Sequence, residues 1–418
     1  MAIVLVVPDN NGTLEEAQEY FTQGNVHLEQ EQWDEAITAF SEAIELDQAY
    51  ADAYAKRAVA YNKKGDYYEL AILDCEKALE LNPSIRLYPS LARAYLHRAE
   101  YNAQFVKMEH SFSVDYEDNK ANFEKTIADF TKAIELDSRL AEAYKGRADC
   151  IINYYQDSSD FGMTKYYDMA IEDYSMAIAF YPTNPEYYES RAWAYHLGND
   201  YDRALADNTK AIELDPTNAS YYSNRGYTYL RDIKNYTKAV ADFTKAIELG
   251  EEGYFVYSCR GEAYMEQGSY DLAIADYTKA IELTSDPFWL PYRYSDRGLA
   301  YLENEDYDAA IADFTEAIEL STRPSTTYYY YRALAYLGQQ SYELAIADSS
   351  KAIALYSENH DAYYTRGQAY LAIGEKDKAL IDFKECLALT EDFEEKYFPE
   401  IRERNEVIRK QILEIESD

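Results

Sequence analysis

A unit of about 34 residues recurs ten times along this 418-residue chain, and that recurrence limits the possible folds more than any single residue does. Its phase is marked by one small residue, Ala36, Ala71, Thr126, Ala170, Ala204, Ala239, Ala273, Ala310, Ala345 and Ala379, at spacings of 35, 55, 44, 34, 35, 34, 37, 35 and 34. Within a copy the apolar residues fall three, four or seven apart, as in Ala273, Ile274, Tyr277, Ala280, Ile281 and Leu283, so each half is an amphipathic helix. Gly65, Gly198, Gly268 and Gly374 punctuate the middle of a copy, and Pro83, Pro182 and Pro216 follow its second half. A single helix pair cannot bury its apolar stripe. Neighbouring copies must therefore stack, and the predicted fold is a quasi-one-dimensional, all-α solenoid.

The spacing resembles the tetratricopeptide repeat (TPR) family over roughly residues 14 to 390. Position 1 falls at Ala17, Ala51, Ile85, Ala141, Pro185, Ala219, Tyr254, Pro291, Thr326 and His360. Position 4 is a tyrosine in every copy, from Tyr20 and Tyr54 to Tyr329 and Tyr363, and position 8 is small, as at Gly24, Ala58, Gly226 and Gly298. The resemblance implies a right-handed superhelical solenoid of about ten TPR helix-turn-helix repeats with a C-terminal capping helix. Three segments are expected: an apolar N-terminal stretch (1–13), the repeats (14–390) and the cap (391–418). About 22 extra residues near 100–120 and about 10 near 153–164 interrupt the rhythm inside the third and fourth copies. Phe105, Met108 and Phe112 predict a short amphipathic helix within the first of these inserts.

Copies of one unit can be compared with each other. Position 7 is arginine in eight copies, Arg57, Arg147, Arg191, Arg225, Arg260, Arg297, Arg332 and Arg366. The same eight carry aspartate at position 23, Asp74, Asp173, Asp207, Asp242, Asp276, Asp313, Asp348 and Asp382. The first copy has neither, and the third has Leu91 with Asp129. Co-occurrence predicts contact: a planar guanidinium held by a carboxylate, with its stem against neighbouring tyrosines, forming a structural ladder.

Forty basic against 77 acidic residues give a net charge of −37. So acidic a surface repels phosphate backbones and anionic lipid, which argues against nucleic acid and membrane partners and favours a basic protein or peptide. The same charge also keeps a long solenoid soluble. Cys75, Cys150, Cys259 and Cys386 are far apart, lack metal-ligand spacing and read as free thiols, which slightly favours the cytoplasm. The five histidines are scattered, and no zinc-protease helix, phosphate loop or nucleophile elbow occurs. The chain is predicted to be no enzyme and to need no cofactor or metal.

In TPR proteins the first helices line a concave groove, and the groove-facing positions here hold Trp193, Tyr227, Phe255 and Tyr292. Rings at such places anchor an extended peptide or a partner helix, so the resemblance implies a protein-binding scaffold. One subset of the family grips acidic chaperone tails through a Lys/Asn/Arg clamp. Phe21 and Lys56 stand where its lysine and its second-repeat asparagine belong, which argues against that ligand. A second expectation starts from Ile3, Val4, Leu5, Val6 and Val7, an apolar run closed by Pro8. It is either a tail along the first helix pair or a strand that docks on another copy and builds a head-to-tail filament or ring, which would suit an extracellular protein. Asn11, Asn218 and Asn235 lie in glycosylation sequons that matter only in an exported chain.

Overall fold

The computed structural model describes residues 10–108, 116–155, 164–390 and 399–417. Residues 3–7 and Phe112 fall outside these ranges. Two compact units, 1–216 and 217–418, divide the chain. All the regular structure described is helical, in 21 helices.

Unit 1 holds α1 (Asn10–Glu29), α2 (Trp33–Leu46), α3 (Ala51–Lys64), α4 (Tyr68–Leu81), α5 (Tyr88–Met108), α6 (Tyr116–Leu136), α7 (Ala141–Tyr155), α8 (Thr164–Phe180), α9 (Pro185–Leu197) and α10 (Tyr201–Leu214). Unit 2 holds α11 (Ala219–Arg231), α12 (Tyr236–Glu248), α13 (Tyr254–Glu266), α14 (Tyr270–Leu283), α15 (Leu290–Glu303), α16 (Tyr307–Leu320), α17 (Thr326–Gly338), α18 (Tyr342–Leu355), α19 (His360–Ala372), α20 (Lys376–Thr390) and α21 (Pro399–Ser417). Inside each unit a helix packs on its sequence neighbours. First helices of successive copies also meet, α5 with α7 and α17 with α19, and no comparable packing joins the second helices. The first helices therefore form the inner face of each stack.

The turn between paired helices needs one residue in the left-handed region. Gly268 (φ 68°) and Gly374 (φ 82°) adopt it freely, but Glu31, Asn199, Lys234, Glu305 and Gln340 occupy the same place at φ 56–65°. The next residue often offsets that cost by capping the second helix: Asp200, Asn235 and Asp306 each accept a hydrogen bond from the backbone amide three residues on.

Each core is built from alanine and one ring. The position-20 and position-27 alanines, such as Ala36 and Ala43 or Ala310 and Ala317, are fully buried, as are Phe40, Phe243, Phe314 and Phe383. The glycine opposite is required by closeness: a Cβ on Gly298 would sit 2.8 Å from the Phe314 ring, inside van der Waals contact. All four cysteines are free and buried, and burial pushes the Cys75 and Cys259 thiols up to about 12. In unit 2, α21 lays Ile408 into the cluster of Ala379, Phe383 and Cys386 and is tied to α19 by the Arg404–Asp361 pair.

Among its described residues the first insert builds no separate helix. Phe105 and Met108 continue α5, and α5 and α6 are both lengthened to 21 residues. Once a pair is packed, extending its helices satisfies each added backbone group internally, whereas a detached short helix must nucleate afresh.

The eight Arg–Asp pairs of the sequence are each in contact, Nε and Nη2 donating to the two carboxylate oxygens at 2.6–3.0 Å. The third copy has its own version, which the alignment of copies misses: Arg98, seven residues beyond Leu91, donates in the same two-pronged way to Asp129 at 2.8 and 2.7 Å. Seven residues is nearly two full turns, so Arg98 projects from almost the same face as position 7.

The remaining guanidinium nitrogen reaches backward. Nη1 of Arg57, Arg147, Arg191, Arg260, Arg297, Arg332 and Arg366 donates to Ser41, Thr131, Ser175, Thr244, Thr278, Thr315 and Ser350, each on the second helix of the preceding copy. Several of these hydroxyls spend their own proton on the carbonyl four residues back, as Ser41 does on Ile37 and Thr315 on Ile311, which leaves their lone pairs for the arginine. Tyrosines at positions 4 and 11 flank the cation, as Tyr257 and Tyr264 flank Arg260 at 5.8 and 5.9 Å.

The aspartates are 3–11% exposed in their side chains, so these are buried pairs. Burial even pushes the Asp74 carboxyl up against the pull of Arg57, so desolvation rivals attraction. Such a pair fixes the spacing of copies more than it adds net stability. Asp276→Ala, which strands Arg260, is expected to cost on the order of 3–5 kcal/mol in urea denaturation, and Arg260→Met with Asp276→Leu far less. Equal losses in the two variants would remove the paired-charge account.

Candidate functional site: an aromatic-rimmed cleft in unit 2

On the inner face of unit 2, α13 and α15 stand apart around a cleft of about 460 Å3, with Arg231 of α11 at one end. Helical spacing decides which side chains enter it. Phe255, Ser258, Cys259, Glu262 and Glu266 share one face of α13, and Tyr292, Arg293, Asp296 and Leu299 share one face of α15. Arg260 and Arg297 point elsewhere, to Asp276 and Asp313. A smaller recess of about 250 Å3 continues past Tyr292 and Asp296 to Tyr328 and Tyr331 on α17.

The rim is aromatic and the interior charged. Phe255 and Tyr292 are each 47% exposed and Trp289 is 39% exposed, although all three are large apolar rings. Trp289 packs edge-on to Phe288 (5.1 Å) and beside Tyr292 (5.7 Å). Inside, Arg231 pairs with Glu262 at 2.7 Å and Arg293 with Asp296 at 2.8 Å, and a third acid of the lining, Glu266, is exposed. Arg293 also lies over the Tyr254 ring at 5.3 Å. Two polar atoms of the lining have no hydrogen-bond partner, Ser258 Oγ and Arg293 Nε, and Ser258 is only 8% exposed.

Asp296 is packed closely by protein on most sides but keeps about a third of its side-chain surface open through the mouth of the cleft. Burial outweighs the attraction of Arg293 and pushes its carboxyl from 3.8 up to about 6. Glu262 is raised for the same reason, burial first, with Asp296 adding to it and Arg231 opposing.

Unit 1 has a cleft of about 380 Å3 between α5, α7 and α9, of different character. Lys145 donates to Asp149 at 2.7 Å and Tyr174 donates to the other oxygen of that carboxylate at 2.7 Å, while Glu100, Glu142 and Glu186 also line it and no exposed cluster of rings frames it.

Of the four rings read from the sequence, Tyr227 and Phe255 stack obliquely at 5.9 Å, and Phe255 and Tyr292 line the same cleft. Trp193 lies in unit 1, 44% exposed and stacked on His196 at 5.1 Å. Phe288 and Trp289 were not among those four. Their signal was the spacing of 37 between Ala273 and Ala310, which leaves three extra residues ahead of α15. Phe21, at the clamp position, is packed against Phe40 and Tyr50 at 5.7 and 4.9 Å. Among the described residues no helix is long and apolar enough to cross a membrane.

The raised Asp296 carboxyl has a stability consequence of definite sign. Its folded value lies above the unfolded one, so the ionised acid opposes folding above about pH 6, and that penalty fades as pH falls toward 3.8. Asp296→Asn is expected to stabilise the protein at pH 7.5 by on the order of 1 kcal/mol, a figure discounted because the group is partly solvated, and to be nearly neutral at pH 4. Thermal melts at both values check it, and a lower Tm for the variant at pH 7.5 would contradict it.

Models of the tetratricopeptide repeat match residues 24–65 and 194–232, 51–85 and 219–251, 254–286, 295–358 and 360–393, together more than half of the chain. Hsp70-Hsp90 organizing protein 1 of Arabidopsis thaliana is 28% identical over 183 residues, covering 41% of this chain and 31% of that protein. The rat serine/threonine-protein phosphatase 5 is 36% identical over 110 residues, 26% of this chain and 20% of that one. The matched region thus spans under a third of the length of these relatives. Among solved structures, YrrB, described as a TPR protein with an unusual peptide-binding site, aligns with 46% of this chain and 96% of its own at 23% identity and a TM-score of 0.42. Yeast Tom70 aligns with 97% of this chain and 91% of its own at 18% identity and a TM-score of 0.39. With its recurring spacing, its stacked helix pairs and these matches, the chain belongs to the tetratricopeptide repeat family.

Proposed function

We propose that this chain is a non-enzymatic protein-interaction scaffold that holds an extended peptide or a helix of a partner against the first helices of unit 2. The observation that carries the proposal is the cleft between α13 and α15, where Phe255, Trp289 and Tyr292 stay exposed around a charged interior. Rings held half in water at the centre of a concave face are the groups that supply most of the affinity in protein recognition, because covering them removes apolar area at little entropic cost. The smaller recess toward α17 lengthens the groove along the stack, the form an extended segment needs.

Chemistry on a substrate has no comparable support. The polar groups of the cleft are two ion pairs, an acid and a serine; Cys259 beside them is held as a thiol by burial, with its pKa pushed up to about 12.

The double variant Phe255→Ala with Tyr292→Ala is expected to weaken partner capture by the immobilised full chain about 100-fold, roughly two anchors' worth, without lowering its melting temperature. Unchanged capture of the same proteins would refute a binding role for this cleft.

A further inference from the structure

We infer that the cleft between α13 and α15 selects a basic residue, so that the bound segment places a lysine or arginine side chain between Glu262, Glu266 and Asp296 with its stem against Phe255, Trp289 and Tyr292. The inference rests on the scaffold function proposed above and adds the chemistry of the ligand.

Charge within the cleft comes first. Arg231 and Arg293 face three acids, Glu262, Glu266 and Asp296, so with both ion pairs formed the lining still carries one more carboxylate than cation, the exposed Glu266. Burial disfavours ionisation of two of them: it pushes Asp296 up to about 6 although Arg293 lies 2.8 Å away, and it raises Glu262, to which Asp296 adds. A further cation brought between them would favour their ionised forms and offset the cost of burying them. The second observation is independent of charge. Ser258 is 8% exposed, lines the cleft beside Glu262 and leaves its Oγ without a partner, where many serines and threonines of this chain bond the carbonyl four residues back. A hydroxyl oxygen with free lone pairs suits an ammonium or guanidinium donor.

The rim supplies the rest. Phe255, Trp289 and Tyr292 offer ring faces for the aliphatic stem and for a cation over the ring, as Tyr254 already does for Arg293. At longer range the net charge of −37 draws basic segments toward the chain and repels acidic ones.

The groups facing Asp296 fix how pH acts. They are Arg231 from α11, Glu262 from α13, Tyr277 from α14, Tyr292 and Arg293 from its own helix, and Tyr328 and Tyr331 from α17. Burial raises the Tyr277, Tyr328 and Tyr331 hydroxyls further from this range, whereas it brings the Asp296 carboxyl into it. Protonating Asp296 removes its share of the attraction, and affinity for a cation falls as pH drops through about 6.

The probe is a short fluorescein-labelled peptide of Gly and Ser around Leu-Arg-Leu, titrated with the full chain and followed by anisotropy beside Leu-Gln-Leu and Leu-Glu-Leu counterparts. The arginine peptide is expected to bind at least about tenfold tighter than either counterpart at pH 7.5, to lose roughly that factor at pH 5, and to lose it equally against Asp296→Asn or Glu262→Gln. Tighter binding of the glutamate peptide would overturn the inference, as would arginine affinity indifferent to pH and to both acid variants. If Phe255→Ala with Tyr292→Ala abolishes partner capture while the acid variants leave it intact, the groove still binds and only the basic residue is wrong. If neither set affects capture, the scaffold proposal falls with it.

Discussion

Within each unit the stack hangs on a guanidinium that has three bonds to make and makes them in two copies at once. Two nitrogens close on the carboxylate of its own helix pair, and the third crosses to a serine or threonine on the pair before, as Arg260 bridges Asp276 and Thr244. Apolar packing between alanine-rich helices is tolerant of sliding, because small side chains make shallow ridges. A planar fork with fixed directions is not. The buried pair therefore sets register where the core alone would allow several, at little net gain in stability. The acceptor hydroxyl sits two residues after the aspartate, about 200° around the helix, so one helix serves its own copy with one face and the next copy with the other.

Much of this was legible in the sequence, because ten imperfect copies act as their own alignment. The period, the helix pairs and the recurring arginine and aspartate were read directly, since each position carries the same physical demand many times. Arg98 escaped because it satisfies that demand from two turns further along, and position-by-position comparison records only Leu91. The backward bond to the hydroxyl escaped for another reason: serine and threonine interchange there, and their own protons go to local carbonyls, so nothing in composition marks them. The turn residues were half legible. Gly268 and Gly374 announced a left-handed bend, whereas Glu31 and Gln340 take the same bend without glycine because the packed pair dictates it.

The candidate site shows the limits of counting rings. Tyrosine is common here, 46 residues, and many of these rings serve as covers for the ladder arginines, as Tyr294 and Tyr301 do for Arg297. What separates Phe255, Trp289 and Tyr292 is that they stay half-exposed around one cleft and that half-buried acids lie behind them. That combination depends on two helices three dozen residues apart in sequence, and a periodic pattern cannot express it. The three extra residues before α15 were the one visible trace.

The ladder also has a direction. Each of these seven cross-bonds runs from an arginine to a hydroxyl nearer the N-terminus, and the first copy, which has neither Arg nor Asp at the ladder positions, still offers Ser41 to Arg57. A chain emerging from the ribosome would thus find each docking point already built: a newly made pair brings its own cation and counter-ion and needs only an oxygen from the pair completed before it. Nothing already folded has to wait with an unpaired buried charge for residues still unmade. Synthesis in the opposite order would leave every arginine reaching for a partner that did not yet exist, so the polarity of the bonds suits the stack to be assembled while it is being translated.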